Sequence, residues 1–240
     1  MVKKYELYNE DCFSGMRRLI DEKRKFDLIL TDPPYEIGVN CRGAFKKGRA
    51  MGRGEIDFVA SGFDYSTCFS LFLELQDITN IIVFCSNAQI SKTMQFFEER
   101  GISATLLMWH KTNPVPFTNN GYLSDVEFIV WARGSGAYFN NNLPMSHKSK
   151  VFRSGITPSN ERIHPTQKRV DLLQRILNTH TQAGDSVLDP FSGSGSTGVA
   201  CIIDKRRYVG FEINKGFFDK SLKRLEDTIR EERNNLFYEE

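Results

Sequence analysis

Apolar positions along the chain fall into two kinds of run. Short dense blocks, Phe26-Asp27-Leu28-Ile29-Leu30, Ile81-Ile82-Val83-Phe84-Cys85 and Ser186-Val187-Leu188, have the length and composition of strands covered on both faces. Tyr5-Glu6-Leu7-Tyr8 and Tyr208-Val209-Gly210-Phe211 read as further strands. Between them, residues recur at helical spacing: Phe13, Met16, Leu19 and Ile20; Phe69, Phe72, Leu73 and Gln76; Ile90 to Arg100, stopped by Gly101; Val170, Leu173 and Leu177; Val199 to Ile203; and Phe218, Leu222, Leu225 and Ile229. A helix is expected to resume at His164-Pro165-Thr166-Gln167-Lys168. Ile102 to His110 and Val126 to Ala132, separated by Lys111-Thr112-Asn113-Pro114-Val115-Pro116, suit an antiparallel hairpin at the edge of the sheet. Strand and helix alternate, so the class is α/β with a mostly parallel sheet. Two stretches break the rhythm. Residues 36–61 are glycine-rich and basic, which suits a loop over the site, and residues 134–163 are polar and irregular.

Composition narrows the picture. A chain of 240 residues suits one domain with insertions, and 40% hydrophobic with 26% charged residues is ordinary for a globular protein. No apolar run is long enough for a membrane span, and Met1-Val2-Lys3-Lys4-Tyr5-Glu6 lacks an apolar signal region, so no membrane partner and a cytoplasmic location are expected. Cys12, Cys41, Cys68, Cys85 and Cys201 are scattered, and the four histidines show no ligand spacing, so no metal site is expected. The net charge of +2 is modest, but its distribution is uneven. Arg42, Lys46, Lys47, Arg49 and Arg53 cluster in the first irregular stretch, and Lys148, Lys150 and Arg153 lie in the second.

Candidate chemistry begins at Thr31-Asp32-Pro33-Pro34-Tyr35, at the carboxyl end of a predicted central strand. Open α/β sheets bind their ligands at such ends. Two prolines remove two N–H donors and fix the backbone, leaving carbonyl oxygens and a carboxylate beside an aromatic ring. That arrangement suits a flat ring carrying an amino group. Far downstream, Gly193-x-Gly195-x-x-Gly198 lies between a strand and a helix, with Glu212 ending the next strand. The pattern alone fits either a dinucleotide or another nucleoside-bearing ligand, since the glycines admit the backbone, the helix start at Ser196-Thr197 receives an anion and Glu212 accepts from ribose.

Asp32-Pro33-Pro34-Tyr35, read with Asp189-Pro190-Phe191-Ser192-Gly193-Ser194-Gly195-Ser196-Thr197, resembles the amino-DNA methyltransferases that use S-adenosylmethionine. The order, tetrapeptide early and glycine loop late, resembles their circularly permuted β group. That resemblance implies a Rossmann-like methyltransferase fold over residues 1–240 with an antiparallel edge hairpin, and a short target-recognition insertion at residues 134–163. It implies catalytic roles for Asp32, Pro33, Pro34 and Tyr35. It also implies a cofactor site drawn from Asp11, Cys12, Thr166, Lys168, Asp189, Phe191, Gly193, Gly195, Ser196, Thr197 and Glu212, with Asp11 accepting from the adenine amine. Arg169 stands where the family usually has proline.

The resemblance implies transfer of the methyl group to N6 of a flipped adenine in double-stranded DNA, leaving S-adenosylhomocysteine. Aspartate at the first position is commoner among adenine enzymes and serine among N4-cytosine enzymes, so cytosine is the alternative base. An NAD-dependent oxidoreductase would leave Asp32 to Tyr35 without a role, and an inactive DNA-binding protein is the remaining rival. Members of the group often dimerise, and the expected setting is a restriction–modification pair with a cognate restriction endonuclease, a phage or a regulatory methylation system.

Lysines and arginines of the two basic clusters are expected to contact phosphates. Neutralising Lys46, Lys47 and Arg49 together should weaken DNA binding and flatten its salt dependence. Unchanged binding at several salt concentrations would eliminate that role.

Overall fold

The computed structural model describes residues 4–35, 62–116, 121–158, 160–164 and 166–238. The dense apolar blocks become strands because each is covered on both sides. β2 (Leu28–Thr31) and β3 (Asn80–Cys85) are buried at every position, and β7 (Ser186–Asp189) and β8 (Arg207–Phe211) at all but their first. With β1 (Tyr5–Tyr8), β4 (Ser103–Lys111), β5 (Val126–Arg133) and β6 (Val151–Ser154), they form one eight-stranded sheet, ordered β1-β8-β7-β2-β3-β5-β4-β6. β5 alone runs against its neighbours. The expected hairpin of β4 and β5 joins the sheet through β5, and β6 is added outside it.

Alternate strand residues face opposite layers. Ile29, Ile81, Val83, Leu188, Val209 and Phe211 pack against α1 (Cys12–Asp21), α2 (Tyr65–Glu74) and α3 (Ile90–Glu98). Leu28, Leu30, Ile82, Phe84 and Val187 face α4 (Val170–His180), α5 (Ser196–Ile203) and α6 (Lys215–Tyr238). α1 lies so close to β8 that a side chain at Gly15 would meet the Phe211 ring at 2.3 Å. No helix among the described residues is long and apolar enough to cross a membrane.

Counted from β7 to the end of the chain and on from its start, the strands up to β5 lie in the order 3-2-1-4-5-7-6. The chain leaves β7 toward β8 and β1 on one side, and leaves β2 toward β3 on the other. The order therefore reverses between β7 and β2, which pair in parallel through Leu28 with Val187 and Ile29 with Leu188. A crevice opens at the carboxyl ends of such a pair. Both sequence motifs begin there.

Two expectations change. The helix expected from His164 begins only at Val170; Arg169 caps it in extended conformation, and Gln167 N–H closes a turn onto the His164 carbonyl instead. Residues 134–163, read as irregular, contain a 3-10 turn at Met145–Lys148 and then β6. β6 escapes the apolar pattern because it is a short edge strand, with Phe152 buried and Arg153 exposed.

His180, 3% exposed, packs between Trp131 and Phe139 at ring distances of 4.6 and 5.7 Å, its Nδ1 without a hydrogen-bond partner among the described residues. Burial, with Arg133 nearby, pulls its pKa down to about 3. The unfolded chain takes up this proton near 6.5 and the folded chain does not, so the stabilisation is complete above pH 6.5 and is lost progressively as pH falls toward 3. His180→Phe keeps the ring packing and removes the titration. Its melting temperature relative to wild type should rise as pH is lowered from about 8 to about 5, and a constant difference would refute the assignment.

Candidate active site

The reversal point is closed by a hydrogen bond between its two strands. Thr31 Oγ1 donates to Asp189 Oδ1 at 2.8 Å, and both residues are buried. Asp189 also accepts from Phe191 N–H at 3.1 Å. Burial pushes its pKa up to about 6, against the pull of hydrogen bonds from Thr197, Thr31 and the Phe191 amide.

On the β2 side, Asp32 Oδ2 accepts from Lys168 Nζ at 2.5 Å. Lys168 Nζ also lies 3.1 Å from Glu127 Oε2 at the start of β5, and Glu127 Oε1 lies 2.9 Å from Lys111 Nζ. Asp32 Oδ1 and the Tyr35 hydroxyl are buried and face each other, the phenol helping to hold the Asp32 pKa down, but neither makes a close hydrogen bond among the described residues. Burial raises the Asp32 pKa, Lys168 lowers it and Glu127 raises it again. Burial, then Asp32 and Glu127, hold the Tyr35 phenol protonated well above its usual range. The Pro34 carbonyl accepts from the Tyr65 hydroxyl and from Gln89 Nε2, whose Oε1 is held by Ser86 N–H at 2.9 Å. That carbonyl is thus occupied from within the protein.

On the β7 side, the backbone turns through left-handed conformations at Gly193 (φ 52°) and Gly195 (φ 70°), which favour glycine. Glu212 braces this loop, accepting from Gly193 N–H at 2.9 Å and Asn214 N–H at 2.8 Å. Burial raises the Glu212 pKa against those two hydrogen bonds. From beneath, Ser221 donates to the Gly193 carbonyl at 2.5 Å, while Arg224 donates to the Ser194 carbonyl at 3.0 Å and to Ser196 Oγ at 2.9 Å. Thr197 is buried at the start of α5. Asn9 reaches from the end of β1 to the carbonyls of Glu212 and Ile213, tying the Asn9–Cys12 turn to the same place. A run of rings continues from Phe13 through Phe63 to Phe191 and Tyr65, with centroids 5.4, 5.6 and 4.8 Å from Phe63.

The structure gathers Asp32, Tyr35 and Lys168 on one side of the crevice and Asp189, Phe191, Gly193, Gly195, Ser196, Thr197 and Glu212 on the other. Lys168, expected among the cofactor residues, is paired with Asp32. Thr166 is exposed and bonds through its N–H and hydroxyl to His164 Nδ1; burial, with Lys168 and Lys220, pulls the His164 pKa down to about 4. Asp11 caps α1, accepting from Phe13 and Ser14 N–H at 3.1 Å each, and Cys12 is buried beneath it. Lys148 donates to the Asn141 carbonyl, Lys150 precedes β6, and Arg153 stands exposed on that strand. Arg42, Lys46, Lys47, Arg49 and Arg53 lie outside the described residues.

The sequence reading missed Glu127, Lys111, Tyr65 and Gln89. An acid near the start of an otherwise apolar strand, Val126-Glu127-Phe128-Ile129, was the available signal for Glu127. Tyr65 and Gln89 carry no such mark, because their role depends on which loops meet.

An acceptor-rich tetrapeptide and a glycine turn thus stand on adjacent strands at the reversal point. Comparison with known proteins gives the class. The sequence profile of the DNA methylase family, the N6/N4 methyltransferase group, matches residues 26–223, and the chain belongs to that family. It is 29% identical to the type II methyltransferase M2.MboI of Moraxella bovis, over 94% of this chain and 89% of that protein. Identity to the type II methyltransferase M2.DpnII of Streptococcus pneumoniae is also 29%, covering 92% of this chain and 89% of that protein. Among solved structures, the M1.HpyAVI–SAM complex superposes with a TM-score of 0.72 at 28% identity, covering 92% of this chain and 98% of that one. The protein is thus a DNA methyltransferase, and the oxidoreductase reading of the glycine loop falls away.

Asp11 offers a separation of two roles. Asp11→Ala should cost about 1 kcal/mol of stability by removing the cap, whereas Asp11→Ser keeps a capping oxygen and removes the carboxylate. If Asp11 also holds the adenine of S-adenosylmethionine, Asp11→Ser should melt near wild type yet bind that ligand roughly 10-fold more weakly, the loss expected for one charge-assisted hydrogen bond. Calorimetric titration beside thermal melts checks this, and equal affinity would leave Asp11 as a cap only.

Proposed function

We propose that the protein transfers a methyl group from S-adenosylmethionine to the exocyclic N6 of a flipped-out adenine in double-stranded DNA. The observation that carries this reading is Asp32 Oδ1, a buried acceptor that Lys168 leaves open and that makes no close hydrogen bond among the described residues, facing the Tyr35 hydroxyl. A carboxylate oxygen left open at the carboxyl end of a central strand is available to a ligand's donor.

The residues of the β7 side suit the donor. Glu212 has lone pairs beyond those given to the Gly193 and Asn214 amides and can accept from ribose hydroxyls. The bare turn at Gly193 and Gly195, followed by the N–H groups opening α5 at Ser196 and Thr197, suits the methionyl carboxylate. Asp11 and Cys12 would meet the adenine, with Phe191 and Thr166 along the ligand's flanks. When bound, S-adenosylmethionine supplies an activated sulfonium methyl, so the protein's remaining task is to prepare the nucleophile.

An exocyclic amine conjugated to a base is a weak nucleophile because its lone pair is shared with the ring. Asp32 Oδ1 and the Pro33 carbonyl can each accept one amine hydrogen, which turns the lone pair out of the ring plane. Tyr35 stacks on the base, a contact worth roughly 1–3 kcal/mol against the cost of unstacking it from the duplex. Positioning and fixed dipoles then supply the acceleration. Aspartate rather than serine at the first position favours adenine over cytosine by the habit of the family. Arg153, exposed one residue before the carboxyl end of β6, lies at the crevice end of the sheet and suits a phosphate contact. The type II designation of the relatives favours service beside a restriction endonuclease.

Incubation with unmethylated genomic DNA and S-adenosylmethionine, digestion to nucleosides and mass spectrometry tests the reading. Wild type should yield N6-methyldeoxyadenosine, and Asp32→Ala should lower the rate by roughly 100-fold or more. N4-methyldeoxycytidine would overturn the choice of base, and no methylated nucleoside would overturn the reaction on DNA.

A further inference from the structure

Four side chains from separate stretches alternate in charge across the methyl-acceptor side: Asp32 after β2, Lys168 before α4, Glu127 on β5 and Lys111 ending β4. Consecutive members lie 2.5, 3.1 and 2.9 Å apart. Lys168, only 8% exposed, is the centre of the row and lies 4.8 Å from the Phe84 ring centroid. An apolar side chain would pack there without the cost of withdrawing an ammonium from water, and a buried ion pair is seldom a net source of stability. The pairing also leaves its mark on Asp32. Lys168 occupies Oδ2 alone and leaves the buried Oδ1, which the Tyr35 hydroxyl faces without a close hydrogen bond, to other donors.

We propose that Lys168 and Glu127 are positioning residues for methyl transfer: Lys168 pins Asp32 by Oδ2 so that Oδ1 faces the target amine, and Glu127, anchored by Lys111, accepts from the other side of the ammonium and tempers its charge. The inference rests on the reading of Asp32 as the acceptor for that amine. It assigns Lys168 to the acceptor side of the reaction rather than to the cofactor. It also gives Glu127 a role that neither tetrapeptide nor glycine loop announces.

The groups facing Asp32 are Tyr35 on its own segment, Cys85 on β3, Glu127 on β5, Lys168 and, on β7, Asp189. His164 and Lys111 face the other members of the row. Of these, Lys168 draws the Asp32 pKa down and Glu127 draws it up. Removing them should therefore move the acid limb of kcat/KM in opposite directions, which loss of a merely structural ion pair would not do.

The experiment measures methylation of a DNA duplex against pH for wild type, Lys168→Met, Lys168→Arg and Glu127→Gln, with S-adenosylhomocysteine affinity measured alongside by calorimetry. Lys168→Met should lower kcat roughly 100-fold, as expected for a misplaced catalytic group, and shift the acid limb upward by roughly 1 pH unit or more. Glu127→Gln should shift it downward, Lys168→Arg should recover part of the rate, and S-adenosylhomocysteine affinity should stay within about 2-fold of wild type. Acid limbs that do not move, or that move together, would overturn the proposal, and so would a collapse of S-adenosylhomocysteine affinity in Lys168→Met. If Lys168→Met does not fold, Glu127→Gln decides alone, a downward limb supporting the proposal and an unmoved one overturning it. A wild-type protein that methylates no DNA would defeat the underlying reading instead.

Discussion

The pairing of β2 with β7 is the constraint on which the molecule depends. These strands lie side by side although Thr31 and Asp189, joined across their ends, are 158 residues apart. Neither motif has an acceptor site and a donor site of its own. The parallel register sets the two loops beside each other, and the buried hydroxyl-to-carboxylate hydrogen bond fixes their relative height. Helices on both faces exclude water from the strands, so a lost partner at either residue would leave a buried polar group unsatisfied, at a cost of about 1–3 kcal/mol.

The two sides of the crevice are stiffened by different means. Around the glycine turn the support comes mainly from neutral or singly charged donors: amides to Glu212, the Ser221 hydroxyl, and Arg224 against a carbonyl and a hydroxyl. Around Asp32 it is a row of full charges in near burial. The first arrangement suits a ligand that brings its own charge and must be cradled. The second suits a weak neutral nucleophile, whose electron distribution responds to a fixed field in a site of low polarity. The neighbouring rings of Phe63, Tyr65 and Phe191 join the two, since Tyr65 also grips the Pro34 carbonyl.

Much of this was legible in the residues. β2, β3 and β7 announced themselves because burial on both faces demands unbroken apolar runs, and the glycine turn because left-handed backbone demands glycine. β6 did not, since a four-residue edge strand needs only one buried side chain, here Phe152. The helix before the glycine loop was read too early because its apolar face begins at Val170, while the preceding turn is shaped by hydrogen bonds among His164, Thr166 and Gln167 that leave no periodic trace. The environment of Asp32 was half legible. The tetrapeptide identified the carboxylate, but its partner Lys168 comes from 136 residues away and Glu127 from another strand, and such meetings depend on topology rather than on local pattern.

The strand order also bears on how the chain is made. β7 belongs between β2 and β8, yet it follows β2 by most of the sequence, and β8 comes later still. At synthesis rates of about 5–20 residues per second, β2 would wait roughly 8–30 s for its neighbour, with one apolar edge unpaired and open to other chains. The nascent polypeptide can complete β2 to β5 early, but the centre of the sheet closes only once β7 has been made. Placing the glycine loop late thus delays the closing of the middle of the sheet, and leaves its early half dependent on whatever shields a bare strand in the interval.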